Sequence, residues 1–241
     1  MKNKLKNIIK LFIAFSGFAF LLVSCNYQEV ADADYPAQKL YMPTAVNGIF
    51  TIDDVPQSAD FLPTPGQPYK YTIDVSSNKL IVPLGVYRAG LNRSGNVTAN
   101  IAASNDTIGK LIADSIISPS TIILPASNYT IPSSVDIVSG SEFGTFNLEI
   151  DLNYLRSFPN TIFALGIGIS SSQVQVNPLL NTTVLVIETK FLKSVASFKS
   201  KVDASDSQKI AFTNTSTYAL NYGWNFGDGS TASTELFPSH V

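Results

Sequence analysis

Hydrophobic side chains at every second position, sustained from Lys39 to Lys190, constrain this chain more than any other feature of its sequence. Successive side chains leave opposite faces of a strand, so this pattern builds sheets that are apolar on one side and wet on the other. Phe146, Leu148, Ile150 and Leu152 alternate with Asn147, Glu149 and Asp151, and Tyr69, Tyr71, Ile73 and Val75 alternate with Lys70, Thr72 and Asp74. Between Phe163, Leu165, Ile167 and Ile169 stand Ala164, Gly166 and Gly168, whose small size predicts close packing on the second face as well. Further strands are predicted over 39–42, 80–87, 97–102, 121–124 and 183–188, separated by turn clusters such as Asn92-Arg93-Ser94-Gly95 and Ser139-Gly140-Ser141. One segment departs from the pattern: Asn105-Asp106 is placed to cap a short helix with Ile108, Leu111, Ile112 and Ser115 at helical spacing. Short strands with one brief helix predict an antiparallel β-sandwich. About 150 residues bury roughly 70% of the unfolded chain's surface, enough for such a unit to fold alone.

Composition removes much familiar chemistry. One Cys, Cys25, rules out an internal disulfide and a multi-thiolate metal site within these 241 residues, and one His, His240, rules out His-rich metal centres and His-paired nucleophiles elsewhere. Gly166-Ile167-Gly168 lacks a third glycine and lies in a strand pattern, so it carries no nucleotide signal. Carboxylates remain as the one route to hydrolysis: Asp53, Asp54, Asp114, Asp136, Glu142, Glu149 and Asp151. A glycosidase needs two of them roughly 5–10 Å apart. Glu149 and Asp151 share a strand face, but their apolar neighbours make that the wet face of an amphipathic strand. A calcium site from Asp203, Asp206 and Asp228 has the right ligand type and no recognised loop pattern. No cofactor and no catalytic residue is expected.

The N-terminus reads as an address. Lys2, Lys4, Lys6 and Lys10 precede an apolar run from Leu11 to Val23. That run is shorter than the roughly 20 residues a membrane-crossing helix needs, and it has the layout of a secretory signal. Leu22-Val23-Ser24-Cys25 resembles a bacterial lipobox, which implies cleavage between Ser24 and Cys25 and lipidation of Cys25. Diacylglycerol with an N-acyl chain suffices for stable anchoring. Loss of residues 1–24 lowers Lys+Arg from 16 to 12 against 18 Asp+Glu, a net charge of −6 that disfavours nucleic acid as a partner. Residues 25–37 read as a flexible tether. Glu29, Asp32 and Asp34 loosely resemble the surface-export signal of glycan-harvesting Gram-negative bacteria, which implies an outer-membrane lipoprotein displayed on the cell surface.

Two family resemblances extend this reading. Val82-Pro83-Leu84-Gly85-Val86-Tyr87-Arg88-Ala89-Gly90, Leu124-Pro125-Ala126-Ser127-Asn128-Tyr129-Thr130-Ile131-Pro132 and the strand at 183–188 resemble the immunoglobulin-like N-terminal domain of unknown function found in surface lipoproteins of those bacteria. The likeness covers 38–190. In that family the domain often precedes carbohydrate-binding or glycoside-hydrolase modules. Beyond a junction at 191–194, residues 194–241 are similar to a polycystic-kidney-disease-type (PKD) domain through Trp224-Asn225-Phe226-Gly227-Asp228-Gly229. Trp224 and Phe226 would fill a core, and Gly227, Asp228 and Gly229 would form a turn with positive φ and a side-chain cap. That family continues with further strands, so residues 194–241 are expected to form an incomplete sandwich and the chain to be the N-terminal piece of a longer protein.

The expectation is an all-β chain of two consecutive immunoglobulin-like β-sandwiches, the second incomplete, after a signal-peptide helix at 1–24. Its expected function is a lipid-anchored binding or spacer module in extracellular glycan capture, with polysaccharide or other surface glycan-uptake proteins as partners. The alternatives are an accessory region of a surface glycoside hydrolase whose catalytic module lies beyond residue 241, or an adhesin for host protein. A sugar's apolar face packs on exposed aromatic rings. Tyr41, Tyr69, Tyr71 and Tyr87 are therefore the aromatics to locate, with core packing as the competing assignment for each.

Overall fold

The computed structural model describes residues 37–46, 48–56 and 64–241. These belong to one compact unit, Ala37–Val241. The expected signal peptide, Ser24, Cys25 and all but the last residue of the expected tether lie outside the described residues. The strands in chain order are β1 (Lys39–Tyr41), β2 (Ile49–Ile52), β3 (Thr72–Asp74), β4 (Lys79–Ala89), β5 (Val97–Ala103), β6 (Ile122–Ile123), β7 (Tyr129–Thr130), β8 (Ser134–Ile137), β9 (Phe143–Asp151) and β10 (Ile162–Ser170). They continue with β11 (Gln175–Val176), β12 (Thr182–Glu188), β13 (Phe198–Val202), β14 (Ile210–Asn214) and β15 (Ser239–His240). Among the described residues two α-helices interrupt them, α1 (Asp106–Ala113) and α2 (Leu152–Ser157).

The first sheet runs β11-β1-β4-β9-β7 with β3 also paired to β4, and the second runs β2-β12-β10-β5-β8 with β6 beside β10. Most pairs are antiparallel; β1/β11, β2/β12 and β6/β10 are parallel. The alternation in the sequence becomes one shared core. Leu80, Val82, Leu84, Val86, Phe146, Leu148 and Ile150 from the first sheet pack with Ile52, Ile101, Phe163, Leu165, Ile167, Leu185 and Ile187 from the second. Each such side chain contributes about 1.5–3 kcal/mol through removal from water. The all-β sandwich expected from the sequence is the observed fold.

Local sequence explains how the sheets join. Met42 enters the core, and a 3₁₀ turn at Pro43–Ala45 carries the chain from the first sheet into the second, where the Thr44 and Thr183 hydroxyls share a buried hydrogen bond of 2.5 Å. Pro83 lies inside β4 without breaking it. β1 pairs only with Tyr87–Ala89 and β3 only with Lys79–Ile81, so on the side of β4 away from β9 no described strand stands at Pro83 to ask for the amide hydrogen that proline lacks. The Thr64 hydroxyl fills that gap, donating to the Pro83 carbonyl at 2.9 Å.

The second face of the second sheet is covered too. α1 lays Ile108 over Ala164, Val184 and Val186. Gly166 makes this possible: a Cβ there would stand 1.8 Å from the Ser104 carbonyl oxygen. The Ser104 amide donates to the Gly166 carbonyl at 2.8 Å, and the Gly166 amide donates to Asn105 Oδ1 at 2.9 Å. Asn105 is the residue before the helix, as expected, but its side chain holds β10 instead of capping its own helix. Gly144 has a similar role at one corner, where the Asp136 carbonyl of β8 would meet an added Cβ at 2.7 Å.

Several elements depart from the periodicity. The strand expected through Leu152 ends at Asp151, whose carboxylate accepts hydrogen bonds from the Asn153 and Tyr154 amides and starts α2. The strand expected over 69–75 shrinks to β3. Tyr71, just before it, is 2% exposed, and its hydroxyl donates to the Asp54 carbonyl at 2.6 Å. β2 and β8 had no expectation.

Arg88 closes the sandwich at one end. It is 3% exposed, and its guanidinium donates to the carbonyls of Arg93, Ser94, Gly95 (2.9 Å) and Ser141 (3.1 Å), tying the loop after β4 to the loop before β9. The planar fork of an arginine serves several acceptors at once.

Residues 194–241 form a third sheet, β13-β14-β15, with bridges Val195–Thr217 and Trp224–Ser233. Tyr218 packs against the main core, and the Ser194 hydroxyl donates to its carbonyl at 2.8 Å.

Gly166→Ala is expected to lower unfolding stability by about 3 kcal/mol, because backbone must move to admit one methyl. Gly109→Ala, on α1 with nothing within 4 Å of the added carbon, is expected to raise it by up to about 1 kcal/mol. Arg88→Met is expected to cost about 3 kcal/mol by stranding buried carbonyls, with Lys unable to restore the fork. Urea unfolding of the variants measures all three; an unchanged midpoint for Gly166→Ala would refute the close approach.

Candidate binding surface

The first sheet carries an aromatic row on its outer side. Leu40 and Val86 are buried in the core, as is Gly144, and by the two-residue period their neighbours Tyr41, Tyr87 and Phe143 face away from it. Strand register places these three directly opposite one another: Tyr41 against Tyr87 and Tyr87 against Phe143. Cross-strand neighbours on one face stand close enough for their rings to touch. The ring centroids are 5.7 Å apart for Tyr41–Tyr87 and 5.5 Å for Tyr87–Phe143, with interplanar angles of 41° and 31°. Phe143 is 36% exposed and the two tyrosines are partly exposed.

The two flanks of the row differ. On one side of Tyr87 along β4 is the buried Gly85, opposite the exposed Thr145; on the other is the exposed Ala89, opposite the exposed Lys39. Arg93 and Glu142 pair with each other at this end of the sandwich. Burial first, then the neighbouring Tyr41 and Glu142, raises the Tyr87 phenol above its usual range.

Of the four tyrosines singled out by sequence, the structure brings Tyr41 and Tyr87 together and separates the others. Tyr71 is a core residue packed on Phe191, with centroids 5.3 Å apart. Tyr69 is 37% exposed and lies outside β3. Phe143 was not singled out, because the expected strand began at Phe146; only the long β4/β9 register reveals it.

A second aromatic surface lies on the third sheet. Phe198, Phe212, Trp224 and Phe226 pack as a cluster with centroids 5.4–5.9 Å apart. They line an open groove of about 800 Å³. Phe198 remains 58% exposed. Gly227 and Gly229 have φ of +84° and +85°, a region that favours glycine, and Asp228 between them accepts the Ser230 amide at 3.0 Å. The other Asp228 oxygen meets His240 Nε2 at 2.7 Å, and the His240 ring stacks on Phe226 with centroids 4.0 Å apart. Ser230 first, then His240, holds the Asp228 carboxyl below its usual range. Sequence alone gave no sign of the Asp228–His240 pair.

Six of the remaining candidate carboxylates serve local structure. Asp54 accepts the Val55 amide, Asp136 accepts the Thr98 hydroxyl at 2.6 Å, Glu142 pairs with Arg93, and Asp151 caps α2. Asp203 and Asp206 each accept hydrogen bonds within their own turn, from Ser205 and Gln208. Among the described residues no group of three His, Cys, Asp or Glu is gathered to hold a metal, and no helix is long and apolar enough to cross a membrane.

Comparisons with known proteins follow this geometry only in outline. A family model described as a "-like, N-terminal domain" matches residues 61–176, just under half of the chain. No curated protein matches it. Among solved structures, a candidate carbohydrate binding protein from Bacteroides ovatus aligns over 72% of this chain and 45% of its own, with 12% identity and a TM-score of 0.45. A protein of unknown function from Bacteroides ovatus aligns over 72% and 58%, with 14% identity and a TM-score of 0.43. An auxiliary nutrient binding protein from Bacteroides thetaiotaomicron aligns over 69% and 60%, with 15% identity and a TM-score of 0.39. The chain spans less than two thirds of each of these structures, and likenesses of this size say nothing of what it binds.

Proposed function

We infer that this chain is a lipid-anchored module of the bacterial outer surface that captures extracellular glycan and carries out no bond-breaking itself. In this reading residues 1–24 direct export, Cys25 carries the lipid in the outer membrane, and 25–37 tether the sandwich at 38–190. The PKD-like region at 194–241 then spaces that sandwich from whatever lies next. The observation that carries the binding role is the Tyr41–Tyr87–Phe143 row, three touching rings on the wet side of a sheet. A pyranose presents C–H groups on one face and hydroxyls around its rim, and an aromatic platform edged by polar side chains matches both. Asp136, Glu142 and Asp151 are held in a strand contact, an ion pair and a helix cap, arrangements that support binding over hydrolysis.

The full chain, expressed in a Gram-negative host able to lipidate it, is expected to fractionate with the outer membrane and to let intact cells retain fluorescent polysaccharide. Cys25→Ala is expected to release it from the membrane and abolish retention by the cells. Equal membrane recovery of the Cys25→Ala chain would refute the anchor. Silence of the purified chain on a glycan array, with capture of host protein instead, would refute the glycan role.

A further inference from the structure

We propose that the Tyr41–Tyr87–Phe143 row is the glycan contact itself and that it takes an internal stretch of a soluble, uncharged polysaccharide chain. This rests on the glycan-capture reading and narrows it.

Three features set the ligand class. The first is that, among the described residues, the row is open at both ends. Along β4 the exposed Ala89 raises no wall on one side of the central ring, while the buried Gly85 closes the other. On the side away from β4, none of the described strands pairs with β9 at the level of Phe143, since β7 reaches only Ile150 and Glu149. At the other end β11 offers the exposed polar Gln175. A chain can enter over Phe143 and leave past Tyr41, so no free end is required.

The second feature is twist. The ring planes are inclined to their neighbours by 31° and 41°. Such rings cannot lie flat together on a crystalline surface. Successive units of a single dissolved chain can rotate to match them.

The third is charge. Arg93 and Glu142 neutralise each other beside the row, which leaves Lys39, Thr145 and Asn147 as hydrogen-bonding flanks without a cationic cluster. The chain as a whole is acidic, with a pI near 5.3, and long-range repulsion works against a polyanion.

Affinity electrophoresis of the full chain tests this with soluble mixed-linkage β-glucan, galactomannan and polygalacturonate in the gel, alongside pull-down on microcrystalline cellulose. The expected result is retardation by a neutral soluble polymer. Tyr87→Ala and Phe143→Ala are expected to weaken it at least tenfold with unchanged unfolding midpoints. Tyr87→Phe is expected to keep most of the binding, and Tyr69→Ala, outside the row, all of it. Limited hydrolysis that multiplies chain ends tenfold at constant polymer mass is expected to leave binding capacity per gram unchanged. Capacity that rises with chain ends would overturn the internal-site inference. So would preference for polygalacturonate or crystalline cellulose, or retardation that survives both Ala variants, while each of these leaves glycan capture standing. Absence of retardation and pull-down across the whole set would overturn the capture reading with it.

Discussion

Strand β4 carries two commitments on alternate residues, and the rest of the structure depends on both being met. Its even-numbered side chains, Leu80 to Val86, are withdrawn completely from water, and Arg88 continues the same side to the end of the sandwich. Its odd-numbered positions belong to the opposite side, and Tyr87 among them is the middle ring of the aromatic row. A shift of one residue in the β4/β9 register would exchange the two sets and place Tyr87 in the core and Val86 in water. The core therefore holds the surface row in place. Burial of the even positions makes the register costly to change, and the same register sets Tyr41 and Phe143 on either side of Tyr87.

Arg88 links these two roles. Its two terminal nitrogens donate to carbonyls from two loops, so the turn after Tyr87 and the turn before Phe143 are fixed to one guanidinium. Backbone groups in such loops need partners when buried, and a single side chain with five donors supplies several. The outer rings thus stand on strands whose ends are tied together, which favours a preformed platform over one assembled on contact. On the opposite sheet, Gly166 achieves with absence of a side chain what Arg88 achieves with a large one. It lets the Ser104 backbone approach, so that α1 covers a face that would otherwise remain apolar and wet.

Much of the sandwich was legible from periodicity. The strands around Leu80, Val97, Phe146, Phe163 and Thr183 form close to where alternation put them, because a two-sided pattern on a chain of this length has few other ways to bury its apolar half. The small residues between Phe163 and Ile169 also mean what their size implied. The failures have physical causes. Tyr69 and Tyr71 alternate correctly, yet the chain straightens into a strand only at Thr72, since Tyr71 is drawn into the core by Phe191 and the Asp54 carbonyl. Leu152 looked like a strand residue because Asp151 does not announce a helix cap unless Asn153 and Tyr154 turn back to it. β2 and β8 were missed because each is short and gains its partners from strands far along the chain, β12 and β5.

The sequence by itself determined the class of fold, the core-facing side of β9 and β10, and the small residues of β10 where a second layer comes close. It did so because side-chain alternation and side-chain size are local properties. Only the tertiary structure decided which aromatics meet. Tyr41, Tyr87 and Phe143 are separated by dozens of residues, and nothing near any one of them specifies the other two. They form a row because hydrogen-bonded register between β1, β4 and β9 carries a pattern written for the core through to the opposite face of the sheet.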